Sequence, residues 1–141
     1  MVEVWVEHLG AVQFEVTARG HSIVCDQPES LGGYDEGMTP PELMLASLGT
    51  CAGYYTADYF KRQKLQVEGT RVRVTAEKAK NPYRLDPFRI EVLVPAELSA
   101  EHLKGIEDAV HRCLIHATMQ HPPKIELEIK SPATVESSFE G

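Results

Sequence analysis

The feature that most constrains this chain is an uncharged segment, residues 43–57, within a strongly predicted helix. The residues before it, Thr39-Pro-Pro-Glu42, form a capping-box sequence in which Thr39 is the N-cap and Glu42 reaches back to it. These signals predict a helix over about residues 40–64. After Glu42 the helix carries no charge on any side until Asp58. Such a helix must be enclosed by other parts of the structure.

Short segments of alternating apolar and polar residues surround this helix and predict antiparallel strands with one exposed face. They lie at residues 2–7, 13–17, 21–25, 72–76, 88–94 and 125–129, with a loop over 26–38 and a hairpin loop over 78–87. A second helix begins near Ser99 and carries one apolar stripe: Leu103, Ile106, Val110 and Cys113. The order predicts one α+β domain over residues 1–141, with antiparallel sheets wrapped around a long buried helix and a loose tail from about residue 131.

A net charge of −7, from 14 Lys and Arg against 21 Asp and Glu, argues against binding to nucleic acid or to an anionic membrane surface. Both partners need clustered cationic side chains. The uncharged segment is shorter than the roughly 20 residues that span a bilayer. Three cysteines and no export signal at the first strand favour free thiols in a reducing cytoplasm.

A chain of 141 residues has little sheet with which to enclose so apolar a helix. Gly49, Gly53 and Ala57 form a small-residue stripe at four-residue spacing, which lets another helix or backbone approach closely. We expect a homodimer, since symmetric dimers are the commonest oligomers. The stripe would lie at or near a helix-on-helix contact. The alternative is a single sheet of the same chain wrapped over the helix.

Two cysteines are predicted on core-facing helices, Cys51 in the uncharged segment and Cys113 on the second helix. A single buried cysteine is usually inert packing, but two raise the possibility of a thiol pair that meets in the fold. Burial disfavours the thiolate, so a reactive Cys51 needs a cation nearby. Arg19, in a turn between strands, is a candidate, although spacing alone favours a solvated turn residue. Cys25 is interpreted as a buried strand residue.

Histidines at 111, 116 and 121 lie near Cys113, and Cys and His are the usual zinc ligands. Their spacing is irregular, and on a continuous helix His111 and His116 would point about 140° apart. No paired Cys-x-x-Cys or His-x-x-x-His accompanies them. We therefore interpret them as surface histidines, and we expect neither a metal nor another cofactor.

The segment Gly37-Met-Thr-Pro-Pro-Glu-Leu-Met-Leu-Ala-Ser-Leu-Gly-Thr-Cys51 closely resembles the central helix of the OsmC/Ohr family of thiol peroxidases. The upstream Asp26-Gln-Pro and Gly32-Gly-Tyr-Asp-Glu-Gly37 resemble the OsmC-like subgroup of that family. Cys113 falls where the family has its second cysteine. The resemblance spans most of the chain. It implies an intertwined homodimer, with sheets wrapped around central helices and active sites at the subunit interface.

By this resemblance Cys51 is the peroxidatic thiol, which attacks an organic hydroperoxide and becomes a sulfenic acid. Cys113 is the resolving thiol, which condenses with it to a disulfide that a dithiol reductant then opens. Arg19 is matched to the arginine that stabilises the thiolate. The implied function is a thiol-dependent peroxidase of organic hydroperoxides, or of hydrogen peroxide, in oxidative-stress defence.

Two positions depart from the peroxidase pattern. Pro41 stands where the peroxidases have a glutamate that orients the arginine, and Leu114 stands where they have a proline. We therefore expect slower turnover than in the classical branch, or other thiol chemistry. The alternatives are a non-peroxidase redox or thiol-carrier module, a protein that binds an apolar ligand in an interface pocket, and a metal-binding protein that uses Cys113 and the nearby histidines.

Overall fold

The computed structural model describes residues 1–132, which form a three-stranded sheet, a two-stranded sheet and three α-helices. The order of elements is β1 (Trp5–Gly10), β2 (Gln13–Ala18), β3 (His21–Cys25), α1 (Pro40–Arg62), β4 (Arg71–Ala79), β5 (Arg84–Leu93), α2 (Ala100–His111) and α3 (Leu114–Gln120). Every strand pair is antiparallel. The predicted α+β fold is confirmed. The tail predicted from about residue 131 lies, from residue 133 onward, outside the described residues.

Helix α1 begins with the predicted capping box. Glu42 N donates to Thr39 Oγ1 at 3.4 Å, and the Glu42 carboxylate accepts from Thr39 N at 2.9 Å and from the Thr39 hydroxyl at 2.8 Å. These bonds satisfy N–H groups that have no partner inside the helix. The backbone bond from Thr39, followed by that from its hydroxyl, lowers the pKa of Glu42. The helix ends at Arg62, close to the predicted residue 64.

Other parts of the same chain enclose α1 on one side. The buried stripe consists of Leu48, Ala52, Thr56 and Phe60, while Tyr54 and Ala57 are exposed. The small residues Gly49 and Gly53 lie against Val74 and Val72 of β4, because a glycine leaves room for a β-branched side chain. Gly49 and Gly53 of the stripe are therefore in contact with a strand of the same chain, and the predicted helix-on-helix contact in a dimer stays a prediction.

The sheet β1–β2–β3 is a meander, with Trp5 opposite Thr17 and Phe14 opposite Cys25. Strand β1 covers Trp5–Gly10 and not the predicted residues 2–7, since β2 ends at Ala18 and leaves nothing to pair with the first residues. The main contacts of these strands are within their own sheet. Apolar side chains on it stay exposed, among them Trp5, Val6, Leu9 and Ile23.

Strands β4 and β5 form a tighter hairpin than predicted. The loop was expected over residues 78–87, but β4 continues to Ala79 and β5 begins at Arg84. Pro87 therefore lies inside β5. The pairing register shifts here, between the pairs Ala76–Phe88 and Lys78–Leu85, so Pro87 lies at an irregularity of the ladder where no N–H donor is needed.

The strand predicted at residues 125–129 is absent from the described part of the chain. Ile125, Leu127 and Ile129 are 86%, 85% and 80% exposed, and no strand among residues 1–132 pairs with them. The alternation of apolar residues is real, but a strand forms only where another strand edge lies beside it.

Candidate active site

The structure joins Cys51 and Cys113, 62 residues apart in sequence, in a disulfide with a Cα–Cα distance of 6.0 Å. This distance lies inside the usual range of about 4.4–6.8 Å. Cys51 is half-buried on α1, whereas Cys113 is 0% exposed. The predicted meeting of these two cysteines is thus confirmed. Cys25 is half-buried on β3 and free, apart from the pair.

Packing of α2 on α1 brings the two cysteines together. Ile106 and Ala109 of α2 are buried, and the Tyr59 hydroxyl of α1 lies 2.9 Å from His102 Nδ1. Gly105 makes this approach possible, because a Cβ at that position would collide with the Tyr59 ring. The contact fixes the first half of α2 against the last turn of α1.

Cys113 does not lie on the second helix, as predicted, but between two helices. Helix α2 ends at His111, and Cys113 is the N-cap of α3. Its Sγ accepts a hydrogen bond from His116 N at 3.4 Å. The prediction was wrong because the apolar stripe of α2 continues in sequence to Cys113 while the backbone leaves the helix one residue earlier, at Arg112.

The same break changes the position of His116. The rings of His111 and His116 lie 5.5 Å apart, not on separate faces of a continuous helix. His111 is exposed, as predicted, but His116 is half-buried, and its Nδ1 is a buried atom without a hydrogen-bond partner among residues 1–132. The interpretation of His116 as a surface histidine is therefore wrong.

Two cavities meet at His116. The first, of about 310 Å³, lies between β5 and α2 and is mostly apolar; it is lined by Ile90, Val92, Val94, Leu103, Ile106, Glu107, Val110, His111 and His116. The second, of about 460 Å³, shares the lining residues Ile90 and His116 with the first. It is also lined by Leu48 of α1 and Met119 of α3. Apolar space therefore lies beside the α2–α3 junction that holds Cys113.

Arg19 lies in the β2–β3 turn, exposed and with a left-handed φ of 51°. Among the described residues, no hydrogen bond or ion pair joins it to Cys51 or Cys113. It lies on the sheet β1–β2–β3, whose strands mainly contact one another. A role for Arg19 at the thiols stays a prediction.

A residue that the sequence interpretation missed is Asp26, which organises the loop before α1. It is 1% exposed, and its carboxylate accepts hydrogen bonds from Gln13 Nε2 at 3.0 Å and from the backbone N–H groups of Gln27, Tyr34 and Glu36 at 2.8–3.2 Å. Burial alone would raise its pKa, but these four bonds together lower it. The polar loop composition gave no sign that this carboxylate is buried.

Residues 1–132 contain no group of three or more His, Cys, Asp or Glu side chains placed to hold a metal ion. The helices in this part of the chain are all too short or too polar to cross a membrane.

Comparison with known proteins identifies the family. The sequence profile of the OsmC-like protein family matches residues 33–128, which includes α1 and both paired cysteines. A search of curated proteins found no match.

Solved structures share the fold at low sequence identity. A protein of Psychrobacter arcticus, provisionally described as an osmotic stress induced and detoxification response protein, is 21% identical and superposes with a TM-score of 0.76, over 84% of this chain and 88% of that one. An OsmC-like protein of Mycoplasma pneumoniae is 15% identical, with a TM-score of 0.74 over 92% and 94%. The organic hydroperoxide resistance protein OhrB of Bacillus subtilis is 17% identical, with a TM-score of 0.60 over 92% and 98%.

Proposed function

The chain belongs to the OsmC-like protein family, and we propose that it is a thiol-dependent peroxidase that reduces organic hydroperoxides. The observation that carries the proposal is the Cys51–Cys113 disulfide, which links α1 to the start of α3. A peroxidase with two cysteines needs such a pair, close enough to bond and positioned by rigid helices. The name of the Bacillus neighbour, an organic hydroperoxide resistance protein, supports this class of substrate.

Cys51 is the attacking thiol in this proposal, because its side chain is half-buried whereas Cys113 is 0% exposed. The Cys51 thiolate attacks a peroxide oxygen, so that an S–O bond forms and the O–O bond breaks. The departing alkoxide takes a proton and leaves as an alcohol. Cys113 then attacks the sulfenic sulfur, the S–S bond forms, and the S–O oxygen leaves as water. A dithiol reductant opens the disulfide by two exchanges and is itself oxidised to a disulfide.

We further propose that the active form is a homodimer. Three features support it: the uncovered side of α1, the exposed apolar residues of the first sheet, and the alternating segment Ile125, Leu127 and Ile129. Exposed apolar surface on this scale marks an interaction site in a protein of this size. A second copy of the chain would supply the strand edge that residues 125–129 lack. We also propose a cytoplasmic location, because a cycle that depends on reduced thiols suits a reducing compartment.

Peroxide consumption tests the function. Purified protein with cumene hydroperoxide and a dithiol should consume peroxide, and Cys51→Ser should abolish consumption because the attacking sulfur is gone. Cys113→Ser should still react once and hold a sulfenic acid on Cys51, detectable by trapping and mass spectrometry. Cys25→Ser is the matched control and should behave as wild type, since Cys25 is not paired. Wild-type protein whose thiols survive peroxide treatment would contradict the proposal.

A second function is favoured by the cavity of about 310 Å³ with its apolar lining from β5 and α2. Such a cavity could hold an apolar ligand, and the cysteines would then take no part in the function. The same variants separate the two functions. Binding of an apolar fluorescent probe that is unchanged in Cys51→Ser, in a protein without peroxide-dependent thiol loss, would support ligand binding. If peroxide oxidises the thiols but no dithiol supports peroxide turnover, the result would instead support a non-peroxidase redox role for the same cysteines.

A further inference from the structure

The two sulfurs of the disulfide differ in how far a reductant can reach them. Cys113 is 0% exposed, whereas Cys51 on α1 is half-buried. A second chain can only cover more surface, so Cys113 stays enclosed in any assembly. Thiol–disulfide exchange begins with the attack of a thiolate on one sulfur, and access helps to decide which sulfur that is. The fold of this chain therefore leaves Cys51 as the sulfur open to attack.

The two sulfurs also differ in hydrogen bonding. Cys113 Sγ accepts a hydrogen bond from the backbone N–H of His116 at 3.4 Å. Within residues 1–132, no hydrogen bond ends on Cys51 Sγ. The sulfur that leaves a disulfide takes the electron pair of the S–S bond, and it leaves faster when its thiolate is more stable. A hydrogen bond to the charged form supplies such stability, so Cys113 is the better leaving group of the two.

The donor at Cys113 is in place before the charge appears. Helix α2 ends at His111 and Cys113 is the N-cap of α3, so the His116 N–H belongs to the first turn of α3 and has no partner inside the helix. It already bonds to Cys113 Sγ while that sulfur is part of the disulfide. A donor that is aimed in advance at the atom that gains charge needs no rearrangement during the reaction, which makes it effective.

We infer that the reductant attacks Cys51, that Cys113 leaves as a thiolate, and that the backbone N–H of His116 stabilises this leaving thiolate. The inference rests on the proposed peroxidase function and adds to it the direction in which the disulfide opens. Burial and hydrogen bonding are independent features, and both give the same direction. The contact with the sulfur comes from the backbone of His116, so the imidazole is not needed for it.

The opening of the disulfide balances over two exchanges. A thiolate of the dithiol attacks Cys51 Sγ, an S–S bond forms between them, and the bond between the two cysteines breaks with its electron pair on Cys113 Sγ. The second thiolate of the dithiol then attacks the first sulfur of the dithiol, and Cys51 leaves as a thiolate. The two protons of the dithiol pass through the buffer to the two cysteine thiolates. The protein gains two electrons, and the dithiol becomes a disulfide.

The position of a mixed disulfide tests the direction. The Cys25→Ser protein is used, because Cys25 and Cys51 share one tryptic peptide, residues 20–61. It is oxidised with diamide, treated briefly with 2-mercaptoethanol and quenched with acid, and the free thiols of the denatured protein are then alkylated. By mass spectrometry we expect mercaptoethanol on Cys51 and the alkyl group on Cys113. Mercaptoethanol mainly on Cys113 would overturn the inference.

Removal of one N–H group tests its effect on the rate. His116→Pro lacks the donor, and His116→Ala is its reference because it lacks the imidazole as well. Leu114→Pro is the matched control, since it places a proline at the first position of α3, where proline fits, and keeps the His116 N–H. Proline at 116 can also disturb the fold. An ester in place of the amide between residues 115 and 116 removes the N–H and keeps every side chain; ligation of a synthetic segment 113–141 at Cys113 introduces it.

The rate of disulfide reduction by dithiothreitol is then compared. We expect the ester variant to be reduced about 10-fold more slowly than the wild type, and His116→Pro about 10-fold more slowly than His116→Ala. This is less than the effect of a donor to an oxyanion, because sulfur is a weak acceptor. Leu114→Pro should keep the wild-type rate. Sulfenic acid formation on Cys51 should be unchanged in all of these proteins, because Cys113 takes no part in that step.

The outcomes separate the inference from the peroxidase function. An ester variant that is reduced at the wild-type rate overturns the role of the N–H group, and so does equal slowing in Leu114→Pro, which would trace the effect to the shape of the turn. Both results leave peroxide consumption standing. Diamide forms the disulfide without peroxide, so the direction of opening is measured even in a protein that consumes no peroxide. A protein in which diamide forms no Cys51–Cys113 bond would overturn both proposals.

Discussion

Replacing Gly105 by alanine tests the contact that holds α2 on α1. A Cβ at this position would collide with the Tyr59 ring, at atoms Cε2, Cζ and Oη. Tyr59 can yield only by giving up the 2.9 Å contact between its hydroxyl and His102 Nδ1. Either Tyr59 or the whole of α2 must therefore move, and α2 leads directly to Cys113.

Three effects determine the change in stability. Alanine in a helix interior is favoured over glycine by about 0.8–1.0 kcal/mol. Overpacking of a well-packed contact costs about 1–3 kcal/mol, and the loss of the Tyr59–His102 hydrogen bond costs about 0.5–1.5 kcal/mol. The packing and hydrogen-bond effects outweigh the helix preference, so we expect Gly105→Ala to lower the free energy of unfolding by about 0.5–3.7 kcal/mol.

Gly53→Ala is the matched control. A Cβ at Gly53 would lie 3.7 Å from Val72 Cγ2, an ordinary contact, so this variant should gain up to about 1 kcal/mol from its helix preference. Urea unfolding followed by circular dichroism measures both variants, with reduced thiols and at one protein concentration because a dimer's stability depends on it.

Two further results are expected of Gly105→Ala. Disulfide closure should be slower, since a displaced α2 carries Cys113 away from Cys51. The destabilisation should also shrink when Tyr59 is already leucine, so that the double variant is less affected than the two single variants added together. A Gly105→Ala protein as stable as Gly53→Ala, or full additivity with Tyr59→Leu, would refute the collision.

The remaining predictions concern the cap, the buried carboxylate, the interface and the cation. Thr39→Ala should lower the free energy of unfolding by about 0.5–2 kcal/mol in the same urea assay, because the first turn of α1 loses its cap. The folded-state pKa of Asp26 lies below 3.8; the ionised group therefore stabilises the fold above that pH, and the contribution is lost as the pH falls through the lowered folded value. The stability of Asp26→Asn should accordingly depend less on pH than that of the wild type as the pH falls below 3.8, as acid unfolding measures. Leu127→Lys should shift sedimentation toward the monomer. Leu31→Lys, which makes the same substitution at an exposed turn outside the alternating segment, should leave sedimentation unchanged. Arg19→Ala should slow sulfenic acid formation if Arg19 stabilises the thiolate, and an unchanged rate would remove it from the site.

The sequence predicts best those local structures that depend only on neighbouring residues. The capping box of α1 depends on Thr39 and Glu42, three positions apart, and it is found with the predicted bonds. The turn at Arg19-Gly20 likewise separates β2 from β3 as expected, because both residues adopt positive φ values there. Each of these features has its cause within a few residues, so the local pattern is sufficient.

Contacts between distant segments are harder to predict, since a pattern specifies the kind of surface and not what covers it. The small residues Gly49 and Gly53 correctly indicate a close approach, but the approaching group is a pair of valines on β4. The alternation of Ile125, Leu127 and Ile129 predicts a strand that residues 1–132 do not form, because the pattern contains no information about the strand edge that would pair with it. The same applies to Asp26, whose burial depends on Gln13 and on loop N–H groups up to Glu36.

The helix break before Cys113 shows why an error of one residue matters for the chemistry. On a continuous helix, the N–H group of residue 116 would donate to the carbonyl of residue 112, and the Cys113 sulfur would meet no free backbone donor. Because α2 stops at His111, the first N–H groups of α3 have no partner inside a helix. One of them, from His116, turns to Cys113 Sγ. No glycine or proline between residues 111 and 116 marks this break, so periodicity alone extends the helix through it. The backbone feature that the sequence pattern fails to predict is therefore the one that brings a backbone hydrogen-bond donor to the second sulfur of the pair.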